Sequence, residues 1–474
     1  MSNKNSEAPH TETENFAFLT SAITWREPKN RETSDDNGNH AENQLRENLL
    51  ACGSATKVRN ASNDSFDVDY DLIVNPFMVR ALDVTKFQIL YDHESDETEI
   101  ISKTFSPTMA HQVFGTEEVI TGYRNLLINF TILPNSFHTS MEYTYSAMAN
   151  NPLRLEIADN IDEKLQEWFP HLIKPEELIK LKESEDLMKM FGDIVLSFQL
   201  HDKDNIPTNI YITKCDPNVA AFLDFHKRFQ ALIVFFIDAA SIIDYTDPNW
   251  VYYYVYKEVL KDGKVVSRLP IGFCTVYMFT VSKRARVSQF FILPNYQQRG
   301  LGLRLLGLIY REFQNQDDFK YITVECPCEE FSMLRDKLDL AFIANLPEFS
   351  KECVLQGYTP AMGILAQKRW KLTSEQVRHL VAVLRCYYTK TDPEQHEMFI
   401  RNLKLNSYNN YKKKLTRISS KAAKEERVAR LKRIVDDDYM LNRTIHRDVV
   451  NYVKRMLPHM KYVESLLAQA SSKV

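Results

Sequence analysis

The chain has 474 residues, with 59 basic and 63 acidic side chains, a formal net charge of −4 and seven cysteines. That length exceeds one ordinary hydrophobic core and predicts about two to four domains, at least one of them able to hold a buried cleft. A charge so near balance argues against a dedicated nucleic-acid coat, and direct nucleic-acid binding is not expected.

No stretch reaches the roughly eighteen apolar residues that cross a bilayer, and the polar N-terminus lacks a signal-peptide core, so an intracellular protein with no membrane partner is expected. Cys52, Cys215, Cys274, Cys326, Cys328, Cys353 and Cys386 are scattered, form no disulfide framework and suit a reducing compartment. The sequons at Asn60, Asn63, Asn129 and Asn442 are then chance matches.

From Met1 to about Ser65 the chain is rich in Ser, Asn, Thr and acidic residues and reads as a disordered tail. Its one apolar island, "NFAFLTSAI", is either a docking segment or an incidental patch. Order is expected from Phe66, with strands in "KFQILYD", "LINFTIL" and "SMEYTYSAM". Two helical stretches follow, then strands in "GDIVLSFQLHD" and "TNIYITKC". The run "VAAFLDFHKRFQALIVFFIDAASIIDY" has the length and apolar density of one buried helix, with Asp238 in its middle. A buried lone carboxylate is costly, so Asp238 should either face a polar cleft, as an acid/base group would, or pair with a cation.

Three aromatic and β-branched runs, "WVYYYVYKEV", "RLPIGFCTVYMFTV" and "RARVSQFFIL", form a strand meander. It leads into "QQRGLGLRLLG", which gathers three of the twelve glycines, then a helix over Leu301 to Gln314 and the strand "KYITVEC". Strand, glycine turn, helix and strand make a βαβ unit with parallel flanking strands. Beyond Phe349 only charged helices are expected. Thr373 caps one of them, with Gln376 at capping-box distance. Pro458 interrupts the four-three spacing of Val449, Val453, Met456, Met460, Val463 and Leu467, which favours ordinary helix packing over a coiled coil.

The glycine turn fits neither the dinucleotide fingerprint nor the Walker pattern, since Leu305 replaces the third glycine and no Gly-Lys-Ser/Thr follows. Gln297-x-x-Gly300-x-Gly302, at a helix start, instead resembles the acyl-coenzyme A pyrophosphate loop of GNAT acetyltransferases. Side-chain-free residues there let a phosphate reach the unpaired N–H groups. Gly307, further along the helix, is assigned to close packing. Glu325 ends the next strand, where parallel sheets bind ligands, and a carboxylate of raised pKa there could deprotonate a lysine amine; the plainer reading is a solvated strand-end acid. Cys326 and Cys328 lack the further ligands a zinc site needs, so no metal is expected. A thiol nucleophile at Cys326 would need an activating partner, and no histidine lies in this stretch.

The succession "FFIDAASIIDYTDPNWVYYYVYKE", "IGFCTVYMF", "RARVSQFFILPNYQQRGLGLRLL", "ITVECPCEEFSMLRD" and "LQGY", with the earlier "HQVFGTEEVITGYRNLLINF", resembles the catalytic subunits of the type B histone acetyltransferases. The resemblance runs from about Phe105 to about Lys414. It implies transfer of acetyl from acetyl-CoA to lysines in the N-terminal tail of free, newly made histone H4, beside a WD40-repeat histone chaperone, in nucleus and cytoplasm. By position, Glu325 matches the family's general base, and Asp238 stands where a glutamate is common, a secondary acid/base candidate. Cys326 stands where an aspartate usually follows the base, which removes a candidate acid/base group. Phe291 and Ile292 match the strand that pairs with pantetheine. Gln297, Arg299, Gly300 and Gly302, with Gln298 and Leu301 between them, match the pyrophosphate loop.

The implied fold is α+β: a GNAT-type mixed, twisted sheet flanked by helices, with an N-terminal α+β domain and a C-terminal helical region. The expected boundaries are a tail over 1–65, an N-terminal domain over 66–200, the acetyltransferase domain over 201–348 and the helical domain over 349–474. The basic block from Lys412 to Arg433 reads as an import signal, a nucleic-acid contact or a solvated helix face. Two rival functions remain at this level: a GNAT enzyme for another amine or protein, and a histone-binding scaffold with impaired catalysis, to which Cys326 lends support.

Overall fold

A computed structural model describes residues 75–90, 104–151, 156–201, 207–261, 263–419 and 438–471. The N-terminal tail with its apolar island, and most of the basic block, lie outside the described residues. Two compact units emerge, one ending at Cys328 and the other, among the described residues, beginning at Glu329.

The first unit contains two main sheets. In the smaller one, β1 (Thr85–Ile89), β2 (Thr104–Phe105), β3 (Leu127–Ile132) and β4 (Thr139–Thr144) lie in the order β2-β1-β3-β4. β1 and β3 are parallel and the other pairings antiparallel. The larger sheet has six strands in sequence order: β5 (Asp193–His201), β6 (Pro207–Cys215), β7 (Trp250–Lys261), β8 (Lys264–Phe279), β9 (Arg284–Ile292) and β10 (Tyr321–Val324). The first four pairings are antiparallel, three of them hairpins and the β6–β7 pair joined by a long helical connection, and the helix between β9 and β10 makes the last one parallel.

One aromatic core joins the sheets. Phe87 of β1 stacks on Phe130 of β3 at 4.8 Å and meets Phe235 edge-on at 5.3 Å, while Phe236 stacks on Phe291 of β9 at 5.1 Å. The chain between β6 and β7 supplies the linking residues, and here the structure departs from the sequence expectation of a single long helix. Helix α1 (Ala220–Gln230) gives way to a 3₁₀ turn over Ala231–Phe235 and then to turns. The Phe235 carbonyl accepts from the Thr108 N–H at 3.0 Å and the Met109 N–H at 3.2 Å, so the smaller sheet's connection takes the acceptor that a further helical turn needs. Ala239 then adopts a positive φ of 54°, which no right-handed helix accommodates. Apolar density in this stretch reflects burial of Ala231–Phe235 on all sides, and not helical periodicity.

The second unit is helical throughout its described residues. Its longer helices, numbered after α2 (Leu301–Gln314) of the first unit, are α3 (Glu329–Ile343), α4 (Ser374–Thr389), α5 (Pro393–Ser419), α6 (Asp438–Met456) and α7 (Met460–Ser471). The Thr373 hydroxyl caps α4 by accepting from the Gln376 N–H at 3.2 Å, as expected. The Gln376 amide turns away, donating at 2.9 Å to both Asp336 and Asp339 of α3. Asp336 also binds His379 at 2.8 Å and His459 at 3.3 Å. Burial pushes the Asp336 carboxyl upward, but the two histidines outweigh it and hold the group well below the usual carboxylate range. Leu457–His459 breaks α6 from α7 at Pro458. Val449, Val453, Met456, Met460 and Val463 are buried, so the four-three stripe packs within the unit.

Candidate active site

β9 is the strand on which the site is built. Its N-terminal half, Arg284–Val287, pairs in parallel with Tyr321–Val324 of β10, and one further rung joins the Glu325 N–H to the Val287 carbonyl at 2.9 Å. β9 continues to Ile292 beyond that rung, with Phe291 opposite Phe273 and Ile292 opposite Gly272 of β8. The two parallel strands therefore part at Glu325. On the other side, Val276 faces Val287 while Cys274 faces Phe290: two steps on β8 span three on β9. This is a β-bulge in β9, a feature that re-aims side chains and recurs beside active sites. Sequence reading missed it, although the polar pair Ser288-Gln289 inside "RVSQFFIL" is its trace. The bulge is braced. The Gln289 N–H donates to the Thr275 hydroxyl at 3.1 Å, and its buried side chain accepts from Gln230 at 2.8 Å and donates to the Ser241 carbonyl at 2.9 Å.

The glycine loop follows. After a 3₁₀ turn over Pro294–Tyr296 the backbone turns left-handed at Gln298, φ 62°, and again at Gly300, φ 75° and ψ 4°. Gly300 is the N-cap of α2 (Leu301–Gln314) and no side chain caps that end. The first ladder bond runs from the Arg304 N–H to the Gly300 carbonyl at 3.2 Å, which leaves the N–H groups of Leu301, Gly302 and Leu303 without intrahelical acceptors. Left-handed residues followed by a helix N-terminus form a concave array of N–H groups that suits a phosphate. Of the predicted side chains, Gln298 and Arg299 are exposed, and Arg299 lies over the Tyr296 ring at 5.9 Å. The Gln297 carboxamide donates to the Ile292 carbonyl at 2.8 Å, tying the loop to the end of β9.

α2 is held firmly enough to fix that loop. Leu301, Leu303, Leu305, Leu306, Gly307, Leu308, Ile309, Tyr310 and Phe313 are buried, and each buried leucine contributes roughly 1.5–3 kcal/mol. On the same helix Glu312 accepts from Tyr253 of β7 at 2.7 Å and from Lys214 of β6.

Glu325 sits at the parting of the strands with its side chain about 38% exposed. The Ser288 hydroxyl donates to Oε2 at 2.6 Å, and Arg286 Nη2 lies 3.1 Å from Oε1. Cys326 and Cys328, just beyond, are both exposed, and Cys326 has a positive φ of 36°.

Asp238 has other surroundings than a buried helix would give it. It sits in a turn after Ala231–Phe235, not in a helix, and its side chain is 76% exposed. Its partner is His111, whose Nε2 is 3.1 Å from Oδ1. The expectation of a polar cleft or a paired cation assumes a buried carboxylate, whereas this one is exposed and faces a histidine. The turn is pinned by Gln112, whose amide bonds to both the N–H and the carbonyl of Ala240 at 2.9 Å.

Known proteins align with this arrangement along its length. The model of the histone acetyl transferase HAT1 N-terminus matches residues 77–238, and that of the acetyltransferase (GNAT) family matches residues 210–330. The model of the C-terminal part of the histone acetyltransferase type B catalytic subunit matches residues 335–386. The mouse histone acetyltransferase type B catalytic subunit is 31% identical over 319 residues, covering 66% of this chain and 76% of that protein. The chain belongs to the type B histone acetyltransferase catalytic subunits. Human and Candida albicans relatives of the same description are each 30% identical, over 321 and 304 residues, covering 66% and 60% of this chain and 76% and 71% of theirs. The GNAT match contains most of β6, all of β7 to β10, α2, the glycine loop, Asp238 and Glu325, so this part of the mixed sheet is the acetyltransferase fold of this family member. Among the described residues no helix is long and apolar enough to cross a membrane.

Proposed function

We propose that this acetyltransferase moves acetyl from acetyl-CoA to lysine side chains in the N-terminal tail of free histone H4, by direct attack with Glu325 as general base. One observation carries the reading: β9 and β10 part at Glu325, one bulge and one short turn away from a glycine loop built to receive phosphate. The coenzyme's pyrophosphate would lie on the N–H groups of Leu301, Gly302 and Leu303. Its pantetheine arm would run along Phe291 and Ile292 of β9. A thioester at the parting of the strands then lies beside the Glu325 carboxylate.

The base has a defined task. A lysine ammonium, with a model-peptide pKa of about 10.4, has no lone pair for attack until a proton leaves. Glu325 accepts that proton directly or through water, the free amine adds to the carbonyl carbon, and the C–S bond breaks as the nitrogen's second proton passes to the departing thiolate, leaving the amide and a free thiol. Cys326, where the resemblance expects an aspartate, puts no second carboxylate directly after Glu325 in the chain.

Membership of the type B family supports free histone as the substrate, a WD40-repeat histone chaperone as the partner, and work in both cytoplasm and nucleus. The test is an assay of the recombinant chain with labelled acetyl-CoA and an H4 tail peptide, run beside a panel of small amines and protein N-terminal peptides. Lysine-dependent labelling of the H4 peptide alone is expected. Preference for another amine, or tight H4 binding without transfer, would replace the proposal with a different GNAT activity or with a histone-binding scaffold.

A further inference from the structure

Both oxygens of Glu325 are engaged, and both partners come from the strand alongside. Arg286 and Ser288 stand two residues apart on β9, where alternate residues share a face. The extra residue of the bulge lies between Val287 and Phe290, the stretch that contains Ser288. At 2.6 Å the hydroxyl-to-carboxylate bond is in the short range of charge-assisted hydrogen bonds. Arg286 is itself placed by packing, its guanidinium 4.7 Å from the centre of the Phe279 ring.

A glutamate in this position has a problem that the two partners solve. The last torsion of a glutamate side chain is broad and nearly two-fold, so a carboxylate held at one oxygen turns easily about its final C–C bond. With Arg286 on Oε1 and Ser288 on Oε2 the plane of the group is set, while each oxygen keeps a lone pair for a proton or a water. We infer that Ser288 and Arg286 are positioning residues for acetyl transfer, Arg286 anchoring Glu325 and Ser288 fixing the rotation of its carboxylate. The inference rests on the reading of Glu325 as the base. Neither residue touches substrate in this account; each acts through Glu325.

Steady-state kinetics of the full chain with acetyl-CoA and H4 tail peptide test it, alongside thermal unfolding of every variant. Ser288→Ala should lower kcat about tenfold with both KM values within about twofold, because misplacement of a catalytic group costs rate and not binding. Ser288→Thr, which keeps the hydroxyl and suits a strand, should recover kcat to within about threefold. In a Glu325→Gln background Ser288→Ala should cost nothing further, since groups acting as a unit are not additive. If Ser288→Ala does not fold, Arg286→Gln reads the other half of the clamp, with the same fall in kcat and steady KM expected.

An unchanged kcat in Ser288→Ala, a loss carried by KM, or an equal loss in the Glu325→Gln background would each overturn the inference. The two readings separate cleanly. Full activity of Glu325→Gln removes the base and the clamp together, whereas an impaired Glu325→Gln beside an unaffected Ser288→Ala removes the clamp alone.

Discussion

Glu325 and Asp238 are the two carboxylates that sequence singled out for acid/base work, and the fold holds them by different means. Glu325 leaves a strand whose last rung is its own N–H, and side chains from the adjacent strand engage both of its oxygens. Asp238 projects from a turn, 76% exposed against 38% for Glu325, and meets one histidine at one oxygen. That histidine belongs to the short helical turn His111–Phe114, which is placed in turn by the Glu118 carboxylate accepting from the N–H groups of Ala110 and His111. A sheet rung fixes position through the backbone; a latch between loops fixes it through side-chain contacts that water can replace. The first suits a group that must meet a reacting amine at one geometry, and the second a group that adjusts to a peptide.

Removing the better-held carboxylate should have the largest effect. Glu325→Gln is expected to lower kcat at neutral pH by about 10²–10⁴-fold, the usual worth of a positioned base, with KM for acetyl-CoA unchanged. Steady-state kinetics check this, and Cys326→Ala belongs in the same experiment. Full activity in the glutamine variant with none in the alanine variant would move the chemistry to a cysteine-linked acetyl intermediate.

The same contrast between backbone-held and side-chain-held groups applies to the loop. Gly300 has φ 75°, where an L-residue costs about 1–2 kcal/mol. Gly300→Val should raise KM for acetyl-CoA about tenfold, the equivalent of about 1.4 kcal/mol, while kcat changes little. Gly263, in the turn between β7 and β8, is the control: its φ is 73° and a Cβ there meets nothing within 4 Å. Gly263→Ala carries similar backbone strain away from the site, so it should lower the melting temperature without moving KM. A similar KM shift in both variants would mean that general loosening of the sheet, and not the loop, controls coenzyme binding.

Much of this was legible in the sequence because the signals were local. The helix over Leu301–Gln314, the strand Tyr321–Val324 and the cap at Thr373 follow from glycine placement, β-branched runs and capping chemistry. Two features were not legible, for one physical reason. The helical run that begins with α1 stops at Phe235, where Thr108 and Met109, more than a hundred residues earlier, take the carbonyl. The bulge in β9 is decided by its pairing with β8 and by Gln230 and Ser241 reaching Gln289. Long-range hydrogen bonds override local propensity at both places, and both adjoin the candidate site. Asp238 was misplaced as a consequence, since a turn and a helix share the same apolar flank.

The smallest expected effect is at Asp238, and it tests the comparison most sharply. An exposed ion pair is worth about 0–1 kcal/mol, so if Asp238 serves only to pair with His111, Asp238→Asn should lower kcat/KM for the H4 peptide by no more than about fivefold. His111→Ala should do the same, and the double variant should lose no more than His111→Ala alone, because that change already removes the Asp238 contact along with the ring's 3.7 Å approach to Glu118. Gln112→Ala removes both bonds to Ala240, and frees the turn without touching the carboxylate. If Asp238 works through its position, Gln112→Ala should therefore raise the peptide KM as much as Asp238→Asn does. A loss in Asp238→Asn approaching that of Glu325→Gln would instead place both carboxylates on the proton's route, and the exposed turn would then have to close over the bound peptide for the reaction to proceed.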